Sequence, residues 1–160
     1  MQGEMDAAAI RLLLQSHTIG RIGCVHRRQP YIFPVNYIFD GTSIYCQSDE
    51  GMKLSILRRH KRICFQVDAI VNSGFWQSVL VLGAFEELSG KLAEAARYTL
   101  YNRLFPKQPN EPAEAIEDRM IELIRQGNRL KKVMFRIEID EVTGRFQHPV
   151  KTPVDSKEGA

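Results

Sequence analysis

Residues 29–47 read QPYIFPVNYIFDGTSIYCQ. Gln29 to Phe39 and Ser43 to Gln47 are dense in β-branched and aromatic residues, which suit a pleated, half-buried surface. Asp40-Gly41 between them is a strong hairpin signal, because both residue types tolerate a tight turn. Upstream, Arg21 to His26 is a third strand-like run. Arg27-Arg28-Gln29-Pro30 connects it to the second as a turn. Three consecutive strands therefore form a meander. Downstream, Arg62 to Ile70, Trp76 to Leu88 and Lys132 to Ile139 supply three more. The last alternates Val133, Phe135, Ile137 and Ile139 against Lys132, Met134, Arg136 and Glu138. The apolar character of Val79 to Phe85 is unbroken, which predicts a strand buried on both faces, a barrel wall that also meets a partner. A six-stranded meander would leave exposed edges, and closure removes them. The expected fold is mainly β with flanking helices, a small closed or nearly closed barrel.

Helical spacing marks the rest. Met5 to Gln15 carries Ile10, Leu13 and Leu14 on one face, and Gly20 is expected to end that unit. Met52 to His60 follows Ser48-Asp49-Glu50-Gly51, where Ser or Asp would cap a helix start. Arg58, Arg59, Lys61 and Arg62 close it, where cations suit the negative end of the helix dipole. From Gly90, Leu92, Ala95, Ala96, Leu100 and Leu104 make a stripe that Pro106 stops. Ala113 to Gln126 is a further helix, with Ile116, Met120, Leu123 and Ile124 on one face and Gly127 at its end. The expected organisation is one domain over residues 1–146, with a helical insert at about 90–126. A polar tail with a loose end follows over 147–160.

The chain has 160 residues, 44% hydrophobic and 26% charged, an ordinary balance for a globular domain. Twenty-two Lys and Arg against 19 Asp and Glu leave a formal charge of +3, too weak a bias to argue for nucleic acid. The longest apolar stretch, Val79 to Phe85, is far short of a membrane span. Met1 to Ala9 carries two acids and does not read as a secretory signal. Cys24, Cys46 and Cys64 are odd in number and none is in a C-x-x-C pair, so buried thiols in a reducing cytoplasm are expected. His17, His26, His60 and His148 are dispersed, and no metal site is expected. Glu114, Glu117, Asp118 and Glu122 read as a solvated helix face.

No nucleophile triad and no glycine-rich phosphate loop of the known types is present. Three local features remain. In Ser48-Asp49-Glu50-Gly51-Met52-Lys53 a strand ends and a helix begins with a lysine in its first turn. Its free N–H groups, a hydroxyl and an ammonium would cradle a phosphate, and a plain N-cap with a surface lysine is the alternative. Asp49 and Glu50 count against an anion unless they point elsewhere. In Phe33-Pro34-Val35-Asn36-Tyr37 a proline inside a strand means an interrupted ladder or an edge. That leaves main-chain groups for a planar ring, or simply bends a barrel strand. In Phe75-Trp76-Gln77-Ser78 a tryptophan stands beside two hydrogen-bonding side chains. It can lie on a ring system while Gln77 and Ser78 offer hydrogen bonds, and an interface or core tryptophan is the alternative.

Together these segments resemble the flavin-binding split-barrel proteins, the pyridoxamine 5'-phosphate oxidase-like superfamily. The resemblance also runs through Ile19-Gly20-Arg21-Ile22-Gly23, Asp40-Gly41, Tyr45-Cys46-Gln47-Ser48, Arg62-Ile63-Cys64-Phe65, Gly83 and Thr143-Gly144-Arg145. It covers about residues 5 to 146, and the nearest branch is the nitroimidazole-resistance group. It implies a six-stranded split barrel and a homodimer with two FMN sites at its interface. By the same resemblance Pro34, Val35, Asn36 and Tyr37 border the flavin ring through main-chain contacts. Gln47, Ser48 and Lys53 hold the ribityl phosphate, and Trp76, Gln77 and Ser78 approach from the second subunit. The implied activity is an FMN-dependent oxidoreductase acting on a small planar compound, with NAD(P)H as a donor. A non-catalytic flavin binder, or a barrel holding haem or a deazaflavin, is the alternative. The nitroimidazole-resistance group often carries a histidine where this chain has Gln47, so no role for it carries over. The ending Gln147-His148-Pro149-Val150 lacks the Arg- and Trp-bearing segment of true pyridoxamine phosphate oxidases, so vitamin B6 oxidation is not expected.

Overall fold

Arg27 and Arg28 have positive φ, 50° and 65°, which is the signature of a two-residue type I′ turn. They join β2 (Ile19–His26) to β3 (Gln29–Phe39), with His26 opposite Gln29. The next turn works differently. The Asp40 carboxylate accepts hydrogen bonds from the N–H groups of Thr42 and Ser43, and Gly41 takes φ 99°. β4 (Ser43–Ser48) then returns antiparallel to β3. The computed structural model describes residues 1–129 and 132–149.

The remaining elements are β1 (Gln2–Glu4), α1 (Ala7–Ser16), α2 (Met52–Arg59), β5 (Arg62–Asn72), β6 (Phe75–Glu87), α3 (Gly90–Leu104), α4 (Ala113–Arg129) and β7 (Val133–Gln147). Strand order is β1-β7-β4-β3-β2-β5-β6, and β6 also pairs with β7. Every pairing is antiparallel. The six expected strands close into a barrel, and the short β1 adds a seventh on β7. Inward residues include Ile22, Tyr37, Ile44, Phe65, Val79, Val81, Phe135 and Ile137, all fully buried. Leu13 and Leu14 of α1 and Leu54 and Leu57 of α2 join the same core.

Several expectations are corrected. Gly20 does not end a helical unit. It lies inside β2, where a Cβ would come 2.2 Å from Cζ of Phe65. No side chain caps α2: its N-cap is Gly51. On α3 the buried residues are Ala93, Ala96 and Leu100, while Leu92 is 47% exposed. Met134 belongs to no polar face, because α3 covers the outside of β7 there and Met134 packs with Leu88, Ala93, Ala96 and Leu100. Gly127 falls within α4. Strand β7 continues through Arg145 to Gln147, held by β1 and β6. The loose end expected beyond 149 lies outside the described residues, as do the side chains of Leu123 and Ile124.

Strand β6 alternates rather than being buried on both faces. Val79, Val81 and Phe85 point inward, and Leu80 and Leu82 point outward, 41% and 37% exposed. Registers place Ile32, Gly23, Cys64 and Leu82 side by side across β3, β2, β5 and β6. Ile32 is 72% exposed, so this outward row is an uncovered apolar band in the single chain.

Tyr37 ties the wall to α1. Its hydroxyl donates to the carbonyl of Leu14 at 2.7 Å in a fully buried setting. Tyr37→Phe leaves that carbonyl without its donor. We expect a loss of about 1–2 kcal/mol, read as a lower urea midpoint with an unchanged slope.

Candidate functional site

In a strand, the N–H and C=O of one residue point to the same side, and the side alternates along the chain. Tyr37 N–H donates to the carbonyl of Thr18, which fixes odd-numbered residues of this part of β3 toward β2. Asn36 faces β4, opposite Gln47. Pairing with β4 stops there, while pairing with β2 continues to Gln29. From Pro34 toward Pro30 the outer side of β3 is therefore a free edge among the described residues. The positions directed to it are Pro34, Ile32 and Pro30, and the two prolines have no N–H to leave unpaired. This answers why a proline sits in the strand: it occupies an edge register.

Lys53, in the first turn of α2, reaches that edge. Its Nζ donates to the Pro34 carbonyl at 3.1 Å and lies 5.6 Å from the centre of the Phe33 ring. Gln47 and Ser48 end β4 on the same side, and Ser48 Oγ donates to the Asp49 carbonyl at 3.2 Å. The two troublesome acids are drawn away. Both oxygens of Glu50 accept from Arg58 at 2.8 Å, and Asp49 lies 3.5 Å from Lys132. Neither acid is thus paired with the Lys53 ammonium, and the N-cap of α2, Gly51, supplies no side-chain acceptor. A Cβ added to Gly51 would meet nothing within 4 Å, so open space flanks the helix start.

The inward neighbours do no chemistry. Val35 and Tyr37 are core residues, and their main-chain groups are directed to β2. Burial pushes the Tyr37 phenol well above its usual range. Burial does the same to the Cys46 thiol, with Lys53 partly opposing it. Cys46 is therefore a protonated core residue, not a nucleophile.

One chain brings Pro34, Asn36, Gln47, Ser48 and Lys53 together but leaves Trp76, Gln77 and Ser78 elsewhere. Pro34 pairs with Arg21, Arg21 with Gln66, and Gln66 with Leu80. That is three strand spacings, about 14 Å, and Trp76 lies a further four residues along, about 13 Å. Trp76 stands at the start of β6 between Ile70 and Gln147, and Gln66 Nε2 donates to Ser78 Oγ at 3.0 Å. Sequence reasoning missed Phe33 as a neighbour of Lys53. It also missed Arg58 and Lys132 as partners of the acids. Arg58 stands eight residues past Glu50, and Lys132 is remote in sequence, so no local spacing announces either.

A closed antiparallel barrel of six strands, with a helix start and a lysine against an unpaired strand edge, is the split-barrel class. Residues 6–146 match the family model described as pyridoxamine 5'-phosphate oxidase, and the chain belongs to that family. An uncharacterised protein of Rhizobium meliloti (strain 1021) is 29% identical over 129 residues, 79% of this chain and 83% of its own. A FAD-binding protein from Mesorhizobium loti shares the fold with TM-score 0.64 at 24% identity, over 93% of this chain and 98% of that one. A candidate 5-nitroimidazole antibiotic resistance protein from Bacteroides thetaiotaomicron gives 0.66 at 15% identity, over 91% and 87%. Among the described residues no helix is long and apolar enough to cross a membrane, and no three His, Cys, Asp or Glu gather as metal ligands.

Proposed function

We propose that two copies of this chain bind FMN in a cleft along their shared face, and that the protein is a flavin-dependent oxidoreductase of a small planar compound. One observation carries the reading: Lys53 and the uncapped start of α2 converge on the unpaired edge of β3, with both nearby acids held by other cations. A phosphate placed there gains a cation and helix N–H donors. The ring would then lie against the edge of β3 at Pro34, whose main-chain carbonyl is directed away from β2. The cited structural neighbours, named for FAD binding and for nitroimidazole resistance, support a flavin and a flat reducible substrate.

The flavin, when bound, supplies the electron transfer. The chain's part is to hold the phosphate with Gln47, Ser48 and Lys53, to orient the ring against the edge of β3, and to exclude water. Trp76, Gln77 and Ser78 lie too far from Lys53 to serve the same site within one chain. In the proposed dimer they approach from the second copy, and the apolar row of Ile32, Cys64 and Leu82 is covered. The choice of FMN over FAD rests on the family resemblance set out from the sequence.

The experiment is reconstitution of the purified protein with FMN or FAD, followed by anaerobic addition of NADH or NADPH and a 5-nitroimidazole. The reading expects FMN uptake, bleaching of the flavin by a nicotinamide donor, and recolouring on addition of the acceptor. Bleaching that never occurs with either donor would leave a flavin-binding protein and remove the enzyme.

A further inference from the structure

A second cationic site stands at the other end of α2. There the β2–β3 turn meets the junction of α2 and β5. His26 Nδ1 and His60 Nε2 lie 3.4 Å apart, with ring centres at 5.5 Å. Arg27 and Arg28 form the turn beside His26, and Arg59 precedes His60. From Lys53 to His60 is seven helical rises, about 10 Å, so this cluster is separate from the Lys53 cradle.

Three observations set it apart from an ordinary solvated surface. The I′ turn strongly prefers Asn-Gly, yet arginines hold both left-handed positions, φ 50° and 65°. Strain of this kind is retained where the surroundings or a function require it. Next, Arg27, Arg28 and Arg59 have no carboxylate partner among the described residues. Their neighbours Arg58 and Arg62 are matched to Glu50 and Glu87 and to Asp140. Lys61 acts on Glu86 and belongs to a different neighbourhood. Finally, two imidazoles are in hydrogen-bond contact inside this positive field. Burial, Arg27, His60 and Arg59 all push His26 below its usual range, and no carboxylate opposes them. The helix dipole explains cations after α2. It does not explain Arg27, brought from the hairpin tip close enough to act on His26 together with Arg59, where like charges repel.

We propose that His26, Arg27, Arg28, Arg59 and His60 form a binding site for a small polyphosphate-bearing anion. A divalent metal on the two imidazoles is disfavoured by the three arginines. The patch is compact, confined to one turn and one helix end, whereas a duplex needs an extended track of phosphate contacts. An anion there would neutralise the arginines and let the His26 imidazole take up a proton and donate to it.

The test uses the full chain, inorganic tripolyphosphate and a 20-base-pair duplex, at low and at physiological salt. Calorimetry follows binding, and NMR follows the His26 titration. The key variant is Arg27→Asn/Arg28→Gly, which gives the turn its preferred residues. We expect it to raise the urea midpoint and to weaken tripolyphosphate at least tenfold. Arg59→Gln should weaken it by a similar factor with an unchanged midpoint. Tripolyphosphate should also move the His26 titration to higher pH. Unchanged affinity in both variants, or no binding by the wild-type chain at low salt, would overturn the site. Duplex binding that persists at physiological salt and exceeds that of tripolyphosphate would overturn the small-anion assignment.

Discussion

Phe65→Ala is expected to cost about 3–5 kcal/mol, a large share of the 5–15 kcal/mol that holds a typical domain. Phe65 is fully buried on β5 and meets the Tyr37 ring edge-on at 5.0 Å. Its ring also lies against Gly20, where any Cβ would meet Cζ at 2.2 Å and Cε2 at 2.5 Å. The barrel therefore uses the missing side chain of Gly20 to admit the ring. This makes a second, sharper expectation. Gly20→Ala should be strongly destabilising alone and less so when Phe65→Leu removes the atoms it would strike. Urea unfolding of the four proteins in that double-mutant cycle measures the coupling. Additive costs would show that the ring and the glycine are not matched as described.

Lys53→Ala is expected to weaken FMN by about 10- to 100-fold, from the roughly 1.5–3 kcal/mol of a hydrogen bond to a charged group. Among the described residues Lys53 donates a hydrogen bond to the Pro34 carbonyl on an open edge. Removing it should leave stability within about 0.5 kcal/mol, as for other surface changes. Binding and folding are therefore separable in this variant. Fluorescence titration of FMN against the wild-type and variant chains, at two salt concentrations, reads the effect. The wild-type affinity should fall with salt more steeply than that of the variant, because one charge pair has gone. Equal affinities would assign the phosphate elsewhere.

The barrel strands were legible because turn chemistry and alternation coincide. Asp40-Gly41 and the β-rich run Ser43–Ser48 agree locally, and the last strand alternates from Lys132 to Ile139. What failed did so for tertiary reasons. Gly20 looks like a breaker in isolation, and only the Phe65 ring explains it. Met134 fell on the polar side of a two-residue alternation, because no sequence pattern announces that α3 lies over that face. Leu80 and Leu82 were expected to be buried, and the single chain leaves them outward. The chemistry was legible in pieces. Lys53 following Gly51 pointed to the helix start, and Pro34 pointed to an edge. That these two meet is a fact of the β3–α2 geometry. The release of Asp49 and Glu50 to Lys132 and Arg58 could not be read from spacing.

The most direct test of the central claim is native mass spectrometry of the full chain after incubation with FMN. The account predicts an assembly of two 18.3 kDa chains carrying two FMN molecules. A single chain that takes up no flavin at saturating concentration would contradict it.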